Sequence, residues 1–281
     1  MSDRTRIAVP NKGRLAEPTA ALLRRAGFVF EKTERSLAVP VRNMPVELLF
    51  VRSEDIPELV DDGVADLGVT GADLVEEAGR PLTVVVRLGY GRCRLTAAVA
   101  DASPVHVLGD FAGLRVATSH PNVVARFFAA AAVPVSTVPL RGSVEVAPKL
   151  DIADAIVDLV STGSTLMVNG LRPVATLMES EAVLVAPGGA TPSSPVVTMI
   201  RAVVTARRKR YVLMNAPVEA VATIERIIPG VDAPTVVPLA HNGKVAVHSV
   251  VDADEMWTVL PRLEAAGASG ILVLPIEQMI P

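Results

Sequence analysis

Short apolar runs alternate with helix-patterned stretches through the first two-thirds of this chain, and a layered α/β fold is what uses that rhythm. Residues 7–10 read as a strand, followed by a turn at 11–13 and a helix through Arg24. Further strands are expected at 45–51, at 65–69 (stopping at Thr70-Gly71) and at 83–89, with a short helix over 57–63. Strands at 95–99, 114–117, 135–139 and 155–157 build a second lobe, and 181–186 returns as a strand to the first.

The Gly-, Pro-, Ser- and Thr-rich stretch 187–194 reads as a linker, with a helix from about 196 to 208 leading away. Beyond it the pattern changes. A strand at 211–215 precedes Pro217, which suits a helix start, and Val221, Ile224 and Ile228 share one face of a helix ending at Pro229-Gly230. Strands at 235–239 and 244–250 flank His241-Asn242-Gly243, whose Asn-Gly pair signals a hairpin. A helix over 253–266 and a strand at 270–275 complete βαββαβ, the ferredoxin-like order. Pro261 is expected to kink or shorten that last helix. The division is therefore lobe I at 1–93 with 180–208 returning to it, lobe II at 94–179, and a C-terminal α+β domain at 211–281.

Composition narrows the function. Half of the 281 residues are hydrophobic and 20% are charged, enough apolar surface for packed cores. The net charge of -3 argues against nucleic acid or an anionic membrane as the main partner. No apolar run approaches a membrane span, and the one following Met1-Ser2-Asp3-Arg4 is too short for a signal peptide, so a cytoplasmic protein is expected. The single cysteine, Cys93, excludes an intrachain disulfide, and the four histidines lack zinc-ligand spacing. His106, His241 and His248 read as structural or exposed, Cys93 as a packed small residue, and Arg207-Arg208-Lys209-Arg210 as a solvated helix end.

The stretch from Ala153 to Leu166 carries the chemistry. An apolar strand runs into Ser161-Thr162-Gly163-Ser164-Thr165 and then into a helix. Such a loop can aim backbone N–H groups and hydroxyls at a phosphate, while Gly163 permits geometry that a side chain would block. Asp154 and Asp158 precede it, and carboxylates there suit the hydroxyls of a ribose. The Gly-Lys-Ser/Thr of a P-loop is missing. On spacing alone, a polar strand-to-helix turn with solvated or capping acids fits as well.

Asp158-Leu-Val-Ser-Thr-Gly-Ser-Thr-Leu166 resembles the phosphoribosyl-pyrophosphate loop of ATP phosphoribosyltransferases. Four other segments resemble that family in order: Val9-Pro-Asn-Lys-Gly-Arg-Leu15, Ala65-Asp-Leu-Gly-Val-Thr-Gly-Ala-Asp-Leu74, Gly142-Ser-Val-Glu-Val-Ala-Pro148, and a tail with Ala233-Pro-Thr235 and Gly267-Ala-Ser-Gly-Ile-Leu-Val273 similar to the regulatory domain of the long form. The resemblance implies that Ser161, Thr162, Gly163, Ser164 and Thr165 hold the 5-phosphate, with Asp158, Asp154 and Glu145 close to the ribose. It makes Lys12, Arg14 and Arg52 cationic candidates for pyrophosphate or triphosphate groups, each otherwise an ordinary surface charge. Asp73 matches a position near the nucleotide, whereas Asp66 either joins it or supports its glycine-rich turn. At Thr118-Ser119-His120-Pro121-Asn122 the chain departs from the family, which commonly has tyrosine before the proline, beside adenine; His120 either stacks there or is a plain turn residue.

The same resemblance implies a bilobal core in the manner of periplasmic-binding-protein folds. It implies transfer of a 5-phosphoribosyl group to N1 of the adenine of ATP, the committed step of histidine biosynthesis, with Mg²⁺ held largely by substrate phosphates. L-Histidine would inhibit through the C-terminal domain, with Asn215, Val231, Thr235 and Gly270 as candidates for its pocket, and dimers would assemble into hexamers. Asn215 stands where some relatives have an acid. The competing readings are a non-enzymatic bilobal small-molecule sensor, which does not predict a hydroxyl-rich loop preceded by acids, and a salvage phosphoribosyltransferase, which does not predict the C-terminal domain.

Overall fold

The computed structural model describes residues 4–32, 36–190, 194–240 and 243–280. The expectations for Met1-Ser2-Asp3, for the middle of the 187–194 linker and for His241 and Asn242 of the hairpin turn fall outside these residues. The chain divides into two compact units, Met1–Ala21 with Phe28–Pro192, and Leu22–Gly27 with Ser193–Pro281.

The first unit contains two sheets. In chain order its elements are β1 (Thr5–Pro10), α1 (Ala16–Arg25, whose last turn groups with the second unit), β2 (Ala38–Pro40), β3 (Val46–Val51), α2 (Ile56–Asp61), β4 (Leu67–Gly71), α3 (Ala72–Ala78), β5 (Leu82–Arg87) and β6 (Cys93–Ala100). They continue with β7 (Arg115–Thr118), α4 (Pro121–Ala130), β8 (Ser136–Pro139), β9 (Ala155–Val160), α5 (Ser164–Val168), β10 (Leu171–Ser180) and β11 (Ala182–Pro187). The first sheet runs β2-β3-β1-β4-β11-β5 and the second β10-β6-β9-β7-β8. β1 is parallel to β3 and β4, and β7 is parallel to β8 and β9. This is the bilobal α/β plan, and β11 lies in the first sheet between β4 and β5.

Near-continuous apolar strands fit sheets covered on both faces. In β6, Leu95, Ala97 and Val99 face a cluster that includes Phe111 and Phe128, whose ring centroids are 5.5 Å apart, while Ala98 faces Ile156 and Leu166 on the other side. The first sheet packs Ala8, Val183 and Val185 against Ile56 and Val60 of α2.

Two strands were not expected from the sequence, β2 and the ten-residue β10. Pro173 disguises β10, but among the described residues the strand pairs only with β6 and so can spare an N–H at the sheet edge, with register shifts after Pro173 and Thr176.

The second unit contains α6 (Pro195–Arg207), β12 (Lys209–Pro217), α7 (Val221–Ile227), β13 (Thr235–Pro238), β14 (Lys244–Asp252), α8 (Met256–Ala265) and β15 (Ser269–Pro275). The division drawn from the sequence ran 180–208 with lobe I, yet α6 groups here. The sheet order β13-β14-β12-β15, antiparallel throughout, completes the ferredoxin-like plan. Ile224, Ile228, Val259 and Leu263 bury the helix faces against Val212, Met214 and Val247. Pro261 does not end α8: the helix runs on to Ala265, and Pro261 leaves one backbone carbonyl without its usual donor.

Candidate active site

In open α/β sheets, functional loops gather beyond the carboxyl ends of the parallel strands. Lys12 and Arg14 follow β1, Arg52 follows β3, and Asp73 is the second residue of the helix that follows β4. His120 follows β7, and the 161–165 loop follows β9.

The loop encloses a small pocket of about 110 Å³ lined by Ser161, Thr162, Gly163 and Thr165 together with Asp158 and Glu145. Gly163 has φ +82°, a left-handed conformation that costs a side chain energy, and this turn lets the chain start α5. α5 has only five residues, so the loop's own N–H groups matter more than any helix dipole. Ser164 is not among the lining residues; its hydroxyl lies 2.9 Å from that of Thr162.

Asp158 sits in β9 opposite Thr96 of β6. Burial raises its pKa above the ordinary 3.8, the neighbouring Glu145 raises it further, and the Leu159 N–H, which donates to Asp158 Oδ1 at 2.8 Å, partly opposes this. Glu145 lies in the short turn Val144–Val146.

Asp154 does not join this pair. It precedes β9 at the opposite end of that strand, four strand residues or roughly 13 Å from Asp158. Its carboxylate is taken by Arg115: Oδ2 accepts from the backbone N–H at 2.8 Å and from Nε at 3.2 Å, and Oδ1 from Nη2 at 2.8 Å. Those bonds hold the Asp154 pKa low. The ribose expectation for Asp154 is therefore corrected: strand length separates two acids that are close in sequence.

The second constellation joins the lobes. Asp73 is 1% exposed, and its Oδ2 lies 3.1 Å from His120 Nε2 while its Oδ1 accepts from Ser180 Oγ and, at 3.2 Å, from Arg14 Nη2. Burial alone would raise the Asp73 pKa, but the hydrogen bonds from His120 and Ser180 and the charge of Arg14 outweigh it and hold the carboxyl below its ordinary value. Gly71 has no Cβ, and one built there would strike the Asp73 carboxylate.

His120 is 2% exposed, and its Nδ1 lies 2.9 Å from Ser119 Oγ. With both nitrogens engaged and the ring enclosed, it does not present a face on which adenine could stack. Glu77 of α3 adds a second link, accepting from the N–H groups of Asn122 and Val123 at 3.0 and 2.9 Å at the start of α4.

Arg14 also donates to Gly91 O, in one of the two crossovers between lobes. These crossovers pair with each other through Leu88 N to Ala182 O and Ala182 N to Tyr90 O, both 2.9 Å. Arg52 stands apart from this constellation, 60% exposed and 3.9 Å from Glu54, and Lys12 is exposed on its loop. Asp66 accepts from the Arg6 backbone N–H at 2.7 Å before β4, which ties together the starts of β1 and β4. Cys93 is buried, and burial pushes its thiol pKa up, which disfavours the thiolate.

In the second unit only part of the proposed effector set converges. A Cβ on Gly270 would lie 3.6 Å from Asn215 Nδ2. Thr235 is on the outer strand opposite His248, and Val231 is in the preceding loop, 61% exposed. His248 is partnered by Tyr211, its Nδ1 2.7 Å from the phenol oxygen.

Ser180, Glu77 and the arginines near the crossovers were missed from sequence, because topology, not spacing, brings them to the cleft. No helix among the described residues is long and apolar enough to cross a membrane.

Comparison with known proteins assigns the chain to a family. A family model described as ATP phosphoribosyltransferase matches residues 52–205, and one described as HisG, C-terminal domain, matches 206–278. The ATP phosphoribosyltransferase of Gemmatimonas aurantiaca is 46% identical over 98% of this chain and 99% of its own length. That of Phocaeicola vulgatus is 42% identical over the same shares. A chain of the solved ATP phosphoribosyl transferase (HisG:HisZ) complex from Thermotoga maritima superposes with a TM-score of 0.60 at 26% identity, covering 70% of this chain and 98% of that one. Matched by family models over both units and by relatives along almost its whole length, the chain belongs to the ATP phosphoribosyltransferase family.

Proposed function

We propose that the cleft transfers the 5-phosphoribosyl group of phosphoribosyl pyrophosphate to N1 of the adenine of ATP, the first committed step of histidine biosynthesis. The bond from C1 to the pyrophosphate oxygen breaks and its electron pair leaves with pyrophosphate. The N1 lone pair forms the new bond to C1, giving phosphoribosyl-ATP. A neutral ring nitrogen needs no base to create it, so the demand falls on orientation and charge. The observation that carries this reading is the pocket at the end of β9, where a hydroxyl-rich loop turning at Gly163 shares its lining with Asp158 and Glu145.

In this reading Ser161, Thr162, Gly163 and Thr165 bind the 5-phosphate through N–H and hydroxyl donors, with Ser164 holding Thr162 in place. Asp158 and Glu145 accept from the ribose hydroxyls, and those donors favour the ionised form that burial disfavours. Lys12, Arg14 and Arg52 face the phosphate chains as cations. Asp73 orients Arg14 and the nucleotide side of the cleft, and His120 supports Asp73 from the other lobe rather than stacking on the base.

Family membership implies a divalent metal, and Mg²⁺ is the ion proposed. Asp158 and Glu145 offer hard oxygen donors on one pocket, which would suit a cation arriving on substrate phosphates. When bound it would supply positive charge for the departing diphosphate.

The second unit is proposed to bind L-histidine as a feedback inhibitor near Asn215 and Gly270, with Thr235 and Val231 reaching it from the adjoining strand and loop. A cytoplasmic homo-oligomer, dimer to hexamer, is proposed as the working form. An absorbance assay with ATP, phosphoribosyl pyrophosphate, Mg²⁺ and pyrophosphatase, run with and without L-histidine, tests the whole. Phosphoribosyl-ATP formation suppressed by histidine is expected; folded protein that binds histidine and yields no product would sink the transferase reading.

A further inference from the structure

The 158–166 segment contains no lysine or arginine, so its loop supplies donors but no full positive charge. A larger cleft of about 530 Å³ continues from it, and Val160 and Ser161 line both spaces. Its remaining wall carries Arg87 at the end of β5, Arg92 just before β6, and Arg94 as the second residue of β6. Arg92 and Arg94 flank Cys93, which is 6% exposed and turned inward, so the two arginines leave the chain on the outer side, roughly 7 Å apart along it.

The acids around them are placed unevenly. Glu181, with its side chain 16% exposed, lies 3.4 Å from Arg87 and 4.0 Å from Arg92. It therefore orders two arginines from the crossover strand. Arg94 sits opposite Val160 of β9 on one side and Glu179 of β10 on the other, and has no ion-pair partner among the described residues. Three guanidinium groups face two carboxylates, and the one without a partner is nearest the loop. Arginine is the side chain suited to such a place, since its planar fork meets phosphate oxygens in pairs.

We propose that Arg87, Arg92 and Arg94 form a second anion subsite, with Arg94 as its principal contact, that takes the phosphate chain of a substrate while the 161–165 loop takes the 5-phosphate. The chain is either the diphosphate of the sugar donor or the triphosphate of the nucleotide. The assignment rests on the function proposed above.

Calorimetric titration of the full chain with inorganic pyrophosphate, and separately with ribose 5-phosphate, tests it. Arg94→Gln should lower pyrophosphate affinity about tenfold or more while leaving ribose 5-phosphate affinity within about twofold, and Arg94→Lys should recover part of the loss. Arg92→Gln should act in the same direction but less. In steady-state kinetics, a KM rise confined to phosphoribosyl pyrophosphate assigns the site to the donor diphosphate, and one confined to ATP assigns it to the triphosphate. Unchanged pyrophosphate affinity in Arg94→Gln, with ribose 5-phosphate still bound, overturns the subsite and leaves the loop assignment standing. Equal loss of both ligands in both variants overturns it as well. If the unmodified chain binds no ribose 5-phosphate, the loop assignment fails and the subsite falls with it.

Discussion

Asp73 Oδ2 and His120 Nε2 lie 3.1 Å apart, and the two residues come from different lobes, one at the start of α3 and the other just before α4. Neither reaches solvent, so the pair is a fixed joint rather than a surface bridge. Removing one member of a buried pair leaves the other without compensation, typically at a cost of roughly 3 kcal/mol. Asp73→Asn should therefore lower the thermal midpoint near neutral pH. The sign of its pH dependence follows from a folded-state pKa held below the ordinary 3.8. The unfolded chain binds the proton more readily, so the stabilisation is present above the unfolded value and is lost as pH falls through the folded one. Melting curves of wild type and Asp73→Asn should differ most near neutrality and approach each other below pH of about 4; a gap independent of pH would mean that the charge on Asp73 contributes nothing.

Asp158 has the opposite sign. Burial and Glu145 raise its pKa, so the folded state holds the proton more tightly than the unfolded chain, and stability falls as pH rises from about 3.8 through the raised value. Asp158→Asn should leave the ligand-free protein as stable as wild type or more so at neutral pH, the advantage vanishing in acid. Turnover should nevertheless fall about 100-fold or more, with histidine binding intact. Near-normal turnover would remove Asp158 from the ribose site.

Asp154 provides the contrast. Its carboxylate is bound by Arg115 at the far edge of β9, and Asp154→Asn should keep kcat within about threefold of wild type, because no reacting atom lies there. Its pKa is lowered by Arg115, so any loss of stability should appear above pH of about 4 and fade below it. A kcat loss matching that of Asp158→Asn would restore Asp154 to the ribose.

Why one of these acids lines the loop pocket and the other does not is a matter of strand geometry. The loop after β9 was legible because its chemistry is local: five consecutive residues, one glycine with positive φ, and the acid three positions before it. Asp154 looked equivalent because four residues is a short interval in a sequence, while in an extended strand it crosses most of the sheet. The ferredoxin-like order was legible for the same local reason, since every strand and helix of it is bounded by its own turn signals. β10 was not, because Pro173 argues against a strand until the edge position is known. Ser180, Glu77, Arg87 and Arg94 had no local signal at all. They reach the cleft through a crossover, a helix end or the end of a strand, and only pairing such as Cys93 with Ser180 reveals the proximity.

Gly71 offers a test of the joint that alters no charge. It ends β4 in extended conformation, φ -83° and ψ 143°, which alanine adopts without strain, so backbone freedom is not what the position requires. Space is: the missing Cβ would occupy the place of the Asp73 carboxylate, which is fixed in turn by Ser180, Arg14 and His120. Gly71→Ala should therefore push Asp73 out of line and weaken all three partners together, lowering stability by about 1–3 kcal/mol. Because the effect acts through Asp73, the double variant Gly71→Ala with Asp73→Asn should be little worse than Asp73→Asn alone in a double-mutant cycle. Strict additivity of the two losses would show that Gly71 and Asp73 act separately and that the close approach carries no energy.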